Sequence, residues 1–308
     1  MGNSRKRSSK RRAHRSRRGR RFVIVVILCL AVLAAGFSLR ACLEQFTMPS
    51  VTLTNPDELT IQDRYQGSLI IPKYNLPQNT YEDAKFTTQN GLLHYQDANA
   101  ATGVDVSSWQ GDIDWKAVKN AGIQFAFLRV GFRGQTSGEI YLDDRFEATL
   151  QGGLDAGISV GVYFYSQAVT KEEAREEANF VLSHIKGSKI TYPVAYDWEP
   201  ADPEEVATAS TTTARTNNVS GADVTAFTKV FCEKVRSAGY QTCYYTNKSM
   251  GYDTFDLEAL SDYPIWYAEY RDLPSFYYRF AIWQYTNAGR VSGIPEPVDL
   301  DISFQKFA

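Results

Sequence analysis

Four carboxylates stand where short apolar runs begin or end. Asp105 lies in Gly-Val-Asp-Val-Ser-Ser-Trp-Gln-Gly, Asp197 and Glu199 in Val-Ala-Tyr-Asp-Trp-Glu, and Asp299 in Pro-Val-Asp-Leu-Asp. If 194–199 is a strand, alternation puts Asp197 and Glu199 on one face and Tyr196 and Trp198 on the other. Two carboxylates held close raise one another's proton affinity, so such a pair retains one proton near neutral pH. Glycosidic cleavage asks for that arrangement: an acid for the leaving oxygen and a negative group beside the oxocarbenium-like centre. An isolated Asp-x-Glu is weak evidence, and a carboxylate-bound divalent metal is a competing use of the same groups. Other chemistries have less to work with. The histidines are His14 in a basic tail, His94 in the segment before the regular pattern, and His184 near the end of a charged helix. A Ser-His-Asp or Cys-His site therefore lacks a base. The chain has no HExxH, CxxC or phosphate-cradling glycine loop, and no cofactor is expected.

These carboxylates need elements to hold them. From Gly103 the sequence alternates between strand and helix patterns. Strands are expected at 103–107, 125–131, 159–166, 194–199, 242–246, 265–270, 281–285 and 298–302. Helices are expected at 115–121, 144–156, 171–185 and 222–238. Gly122, Gly157 and Gly239 follow three of the helices, where a left-handed residue ends a helix well. The acidic run Glu172, Glu173, Glu176 and Glu177 reads as a solvated helix face. Eight strands with helices chiefly between the first five imply an α/β fold. Its parallel sheet would close into an irregular TIM-like barrel whose chemistry sits at the C-terminal strand ends.

Charge and hydropathy divide the rest. The net charge of −2 hides a contrast, for residues 1–40 carry 12 Lys/Arg and no Asp/Glu, leaving −14 on the remainder. Phe22 to Leu39 is an 18-residue run without charge, long enough as a helix to span roughly 27 Å, about a bilayer core. The basic flank holds the N-terminus in the cytoplasm and sends the rest outward. A cleaved signal peptide is the competitor, with Ala34-Ala35-Gly36 as small residues near a cut. On this reading 1–21 is a topogenic tail and not a nucleic-acid arm, 22–39 an anchor, 40–101 an extracytoplasmic stalk, and 102–308 the catalytic barrel. The stalk is rich in Thr, Gln, Asn and Pro, with room for a strand or two around Ser68–Ile71. Cys232 and Cys243 sit on a helix and the strand after it, where a disulfide or two buried thiols are equally compatible with an oxidising compartment.

The motifs, in order, resemble glycoside hydrolase family 25, the Chalaropsis-type N-acetylmuramidases. Gly103–Gly111 resembles the family's opening strand. Asp114-Trp115 through Gly122 and then Phe125–Gly131 resemble its first helix and second strand. Gly161–Ser166 is similar to its third strand and Asp197-Trp-Glu199 to its catalytic strand. Ile265–Ala268, Trp283-Gln-Tyr285 and Val298-Asp-Leu300 are similar to its closing strands. The resemblance covers about Thr102 to Phe304 and implies five β/α units followed by three strands. It implies hydrolysis of the β-1,4 bond between N-acetylmuramic acid and N-acetylglucosamine in bacterial peptidoglycan, with retention. Glu199 would be the general acid/base. Asp197 would stabilise the positive charge, by orienting the sugar's own acetamido group as nucleophile. Asp105 and Asp299 would position that pair, and Tyr163, Tyr245 and Trp283 would line the sugar groove. Two departures stand out: the long Thr-rich stretch 200–220, and Phe164 where many relatives carry His.

Two other classes remain open: a catalytically inactive wall-binding module that tethers membrane to peptidoglycan, and a secreted lysin. Wall binding without release of reducing ends marks the first, and a cleaved, freely secreted form the second.

Overall fold

The computed structural model describes residues 52–201, 206 and 214–307. Within them, β-branched and aromatic residues with a period of two build the strands, and amphipathic stretches between them build the helices. The described residues open with β1 (Thr52–Asn55), β2 (Glu58–Asp63) and β3 (Gly67–Pro72), an antiparallel sheet. The antiparallel hairpin β4 (Phe86–Gln89) and β5 (Leu92–Tyr95) follows. The barrel then runs β6 (Ala101–Val106), α1 (Trp115–Asn120), β7 (Phe125–Arg133), β8 (Ile140–Leu142), α2 (Phe146–Asp155) and β9 (Ser159–Ser166). It continues with α3 (Lys171–Ile185), β10 (Val194–Trp198), α4 (Gly221–Ser237), β11 (Thr242–Asn247) and α5 (Lys248–Asp253). Three strands close it: β12 (Ile265–Ala268), β13 (Ile282–Gly289) and β14 (Val298–Ser303).

The sheet order is β6-β14-β13-β12-β11-β10-β9-β7, with β6 paired to β7, so eight strands close on themselves; β8 adds to β7 outside the ring. Five β/α units and three further strands are therefore present, as the resemblance implies. One correction concerns direction. The expected sheet was parallel throughout, but β14 is antiparallel to both β13 and β6. The short stretch 290–297 leaves no room for a crossover helix, so the chain turns back as a hairpin. This matters for the site: only a reversed strand brings its N-terminal residue, Asp299, to the end where the other strands finish.

Alternation sorts the barrel into two apolar layers. Phe125, Phe127, Tyr163, Ala195, Cys243, Tyr245, Trp266 and Ile282 fill the interior, with Tyr192. Phe125 stacks on Tyr192 at 4.4 Å and Phe127 on Trp266 at 4.6 Å. Rings this large need missing side chains opposite them: a Cβ on Gly103 would lie 2.3 Å from the Phe125 ring. The alternate residues face outward against the helices. Tyr196 packs on Phe231 of α4 at 4.6 Å, and Phe164 packs on Phe180 of α3 at 6.0 Å. Phe164 thus belongs to the helix layer, and the departure at that position leaves the barrel mouth untouched.

Other expectations fare differently. Residues 52–100, expected as a stalk, form five strands fastened to the barrel. Tyr81 stacks on Phe304 at 3.7 Å, and Lys248 bridges Asp63 at 2.7 Å and Glu269 at 2.9 Å. The acidic face of α3 is not uniformly solvated. Glu177 falls on the same helical stripe as Ala174, Ala178, Val181 and Ile185, all buried, and is itself fully buried. Arg133 Nε donates to it at 2.6 Å and Ser166 Oγ at 2.7 Å. Burial pushes its carboxyl up to about 7, against the pull of Arg133. Cys232 and Cys243 are free, buried thiols. The expected anchor Phe22–Leu39 and most of the Thr-rich stretch 200–220 lie outside the described residues. Among the described residues no helix is long and apolar enough to cross a membrane.

Candidate active site

The floor of the barrel mouth is aromatic. Tyr163 and Tyr245 stand edge-on to Trp266, with ring centres at 5.8 Å and 5.2 Å. Above it, five strands deliver ionisable or amide side chains. In the register of the closing strands, Asp105 pairs with Asp299, and Asp301 with both Gly103 and Gln284. The reversal of β14 therefore sets three carboxyl groups side by side. From the opposite wall β10 contributes Asp197 near its end, with Glu199 just beyond it.

Hydrogen bonds tie the closing-strand group together. Gln284 Nε2 donates to Asp105 Oδ2 at 2.8 Å, and Trp266 Nε1 donates to Asp301 Oδ1 at 2.8 Å. Tyr270 O–H donates to Gln284 Oε1 at 3.0 Å, with Tyr245 O–H at 3.5 Å from the same oxygen. The β10 pair is held from behind. Trp198 Nε1 donates to the Ala168 carbonyl at 3.0 Å, and Gln167 Nε2 donates to the Glu199 carbonyl at 2.7 Å. Tyr196, one residue before Asp197, lies 2.8 Å from Ser166 Oγ, the hydroxyl that also donates to Glu177. The indole of Trp198 and the phenol of Tyr196 point away from the mouth, so the alternation read from sequence holds.

Low dielectric and mutual repulsion keep these acids protonated above their ordinary range. Burial, then the negative charges of Asp299 and Asp301, push Asp105 well up. Burial raises Asp299 to about 6 and Asp301 to about 8. Asp197 is raised by burial and by Glu199, and Glu199 by burial, offset by its hydrogen bond with Asp197. Arg129 acts on Asp197, where its positive charge favours the ionised form. That guanidinium is oriented by Asp143, which accepts from its Nε at 2.9 Å. Burial, with Asp105 and Glu199 as the respective neighbours, also holds the Tyr163 and Tyr245 phenols in the neutral, donor form. Among the described residues, no three His, Cys, Asp or Glu side chains are grouped so as to hold a metal ion.

The four carboxylates singled out in the sequence, with Tyr163 and Tyr245, thus converge on one mouth. Trp283 does not. It is fully buried on the outer face of β13, its Nε1 donating to the Glu269 carbonyl at 3.0 Å and Phe86 edge-on to it at 5.6 Å. Its neighbour Gln284 takes the inward position, because adjacent strand residues face opposite ways. Sequence reasoning missed Asp301, Gln284, Arg129 and Tyr270. Asp301 was legible, since the rule that pairs Asp197 with Glu199 pairs Asp299 with Asp301. Nothing local marks Arg129 or Tyr270.

The family model of glycosyl hydrolases family 25 matches residues 104–294. The chain belongs to that family. Among family 25 relatives, the autolytic lysozyme of Clostridium acetobutylicum is 26% identical over 200 residues, 65% of this chain and 54% of that one. This chain therefore spans about half of that protein. Lysozyme M1 of Streptomyces globisporus is 28% identical over 213 residues, 66% of this chain and 67% of the other. A solved family 25 glycosyl hydrolase from Bacillus anthracis shares the fold, with a TM-score of 0.55 and 23% identity, over 71% of this chain and 95% of that one. The family 25 match starts inside β6, so β1 to β5 lie outside it.

Proposed function

We propose that this family 25 chain is an N-acetylmuramidase that cleaves the β-1,4 bond between N-acetylmuramic acid and N-acetylglucosamine in peptidoglycan. The observation that carries the reading is the pair of buried Asp197 and half-buried Glu199 facing Asp105 and Asp299 across an aromatic-floored mouth. The names of the curated relatives, lysozymes both, agree with it. Between the two carboxyls alone, the hydrogen bond raises Asp197 and lowers Glu199; the substrate's acetamido N–H, donated to Asp197, adds to the pull of Arg129 and passes the shared proton to Glu199. Glu199 then protonates the leaving oxygen. Asp197 Oδ1, which has no hydrogen-bond partner among the described residues, accepts from the acetamido N–H and turns that group's oxygen toward the anomeric carbon. Water, deprotonated by Glu199, opens the resulting ring intermediate with retention. Asp105 and Asp299 hold the field that keeps the pair half-protonated, and Tyr163 and Tyr245 form the floor beneath the sugar.

The test compares the full chain with its Glu199→Gln variant on purified peptidoglycan, identifying reducing ends by mass spectrometry after borohydride reduction. Reduced muramic acid ends that depend on Glu199 are expected. Wall binding by both proteins with no new ends would instead mark a tethering module. Retention predicts the β-anomer as first product by proton NMR, and initial α-anomer would refute it. In the same reading Phe22–Leu39 anchors the chain in the bacterial cell membrane with the barrel outside. Protease added to intact spheroplasts should remove the barrel, and a barrel protected until lysis would overturn that orientation.

A further inference from the structure

The N-terminal strands do more than fasten to the barrel. The loop between β12 and β13 carries Tyr270 and Arg271 at the mouth end, and its shape is set by the flank. Asn79 N–H donates to the Tyr277 carbonyl at 2.8 Å, Arg279 N–H to Pro77 at 2.9 Å, and Ser275 Oγ to Asp63 at 3.0 Å. Between this loop and the β4–β5 hairpin lies a pocket of about 640 Å³, lined by Phe86, Thr88 and Leu93 on one side and Tyr270, Arg271 and Asp272 on the other. That is within the range of about 300–1,000 Å³ occupied by small-ligand sites. Thr88 and Leu93 are directly paired across the hairpin, on the face that begins with the Phe86–Tyr95 pair packed against the barrel.

One residue links the pocket to the mouth. Tyr270 is 47% exposed, lines the pocket, and its hydroxyl reaches Gln284, which holds Asp105. On the other side of the mouth a pocket of about 520 Å³ runs beside Arg129, with Trp109 standing 76% exposed at its edge. In the barrel order β7 and β12 lie four strands apart in a ring of eight, so the two pockets flank the carboxylates from opposite sides. Rings for stacking together with hydroxyl, carboxylate and guanidinium groups are the chemistry of a saccharide site.

We propose that residues 83–93, which lie outside the family match, build a distal subsite that binds a sugar unit of the same glycan strand whose bond lies over the carboxylates. The proposal rests on the muramidase reading for its choice of ligand. It makes the flank a determinant of chain-length preference: long strands reach the pocket, and short oligosaccharides do not.

The experiment uses the full chain in detergent, carrying Glu199→Gln so that nothing is turned over. Peptide-free peptidoglycan tetrasaccharide and dodecasaccharide are titrated by calorimetry. The dodecasaccharide should bind about tenfold more tightly, a difference worth ~1.4 kcal/mol. Thr88→Trp, which fills the pocket from an exposed strand position, should abolish that difference and leave tetrasaccharide affinity unchanged. Asp272→Ala, which removes a polar group without adding bulk, should reduce it, and unchanged tetrasaccharide binding reports an intact mouth in both variants. Equal affinity for both lengths, or a length preference indifferent to Thr88 and Asp272, would overturn the subsite and leave the muramidase reading standing. A preference seen only with peptide-bearing strands would overturn the glycan as occupant. Failure to bind either oligosaccharide would overturn both readings.

Discussion

Asp301→Asn should stabilise the protein progressively as pH rises. Asp301 is fully buried beneath the mouth, accepts from Trp266, and lies against the Asp105 carboxyl. Burial raises it to about 8, whereas in the unfolded chain it titrates near an ordinary value of about 3.9. Between those two values the native state holds a proton that the unfolded state has released. Stability therefore falls as pH rises from about 4 to about 8 and levels off beyond, at a rate on the order of 1 kcal/mol per pH unit from this one group. Asn keeps the acceptor for Trp266, can donate to the Asp105 carboxyl beside it, and carries no titration. Midpoints of thermal unfolding at pH 5, 6, 7 and 8 measure the effect. At roughly 2–4 °C per kcal/mol for a domain of this size, the variant should gain about that much on the wild type with each pH unit. Parallel Tm curves across this range would mean that Asp301 ionises normally, and the account of a protonated carboxyl core would fail.

Three further outcomes follow from the geometry. Asp197→Asn should lower kcat by about 10²–10⁴-fold, because the group that orients the acetamido nucleophile loses its charge; activity within tenfold of the wild type would count against that role. Glu177→Ala leaves Arg133 with Glu176 and the Gly138 carbonyl but strips its buried partner, and should cost about 3–5 kcal/mol by denaturant titration. Glu177→Gln, which can still accept from Ser166, should cost less. Gly103→Ala should destabilise by about 1–3 kcal/mol, since its methyl group meets the Phe125 ring; a neutral result would show that the interior rings shift easily.

What the sequence disclosed depended on how local the physics was. Strand positions in the barrel followed from period-two patterning, and the inward direction of Asp197 and Glu199 followed from alternation alone. Trp283 was misplaced by its bulk and motif, although the alternation rule could have assigned Gln284 instead. Glu177 looked solvated because its neighbours are charged, yet its partner Arg133 comes from β7, 44 residues away. The 52–100 segment looked like a stalk because polar residues dominate it. Its Tyr81 and Phe86 gain their apolar contacts from Phe280, Trp283 and Phe304, far along the chain. The same distance hid Arg129 and Tyr270: each acquires its place only once the ring of strands has closed.

The reversed last strand carries a consequence for when the carboxylate site comes into being. β14 brings Asp299 and Asp301 and is also the stave that joins β13 to β6. A chain still being synthesised, with everything up to β13 already in place, has an open barrel and only part of its acid cluster. Ring closure and arrival of the final carboxylates are one event. A clipped or half-made copy therefore lacks the closed ring and the complete acid cluster together.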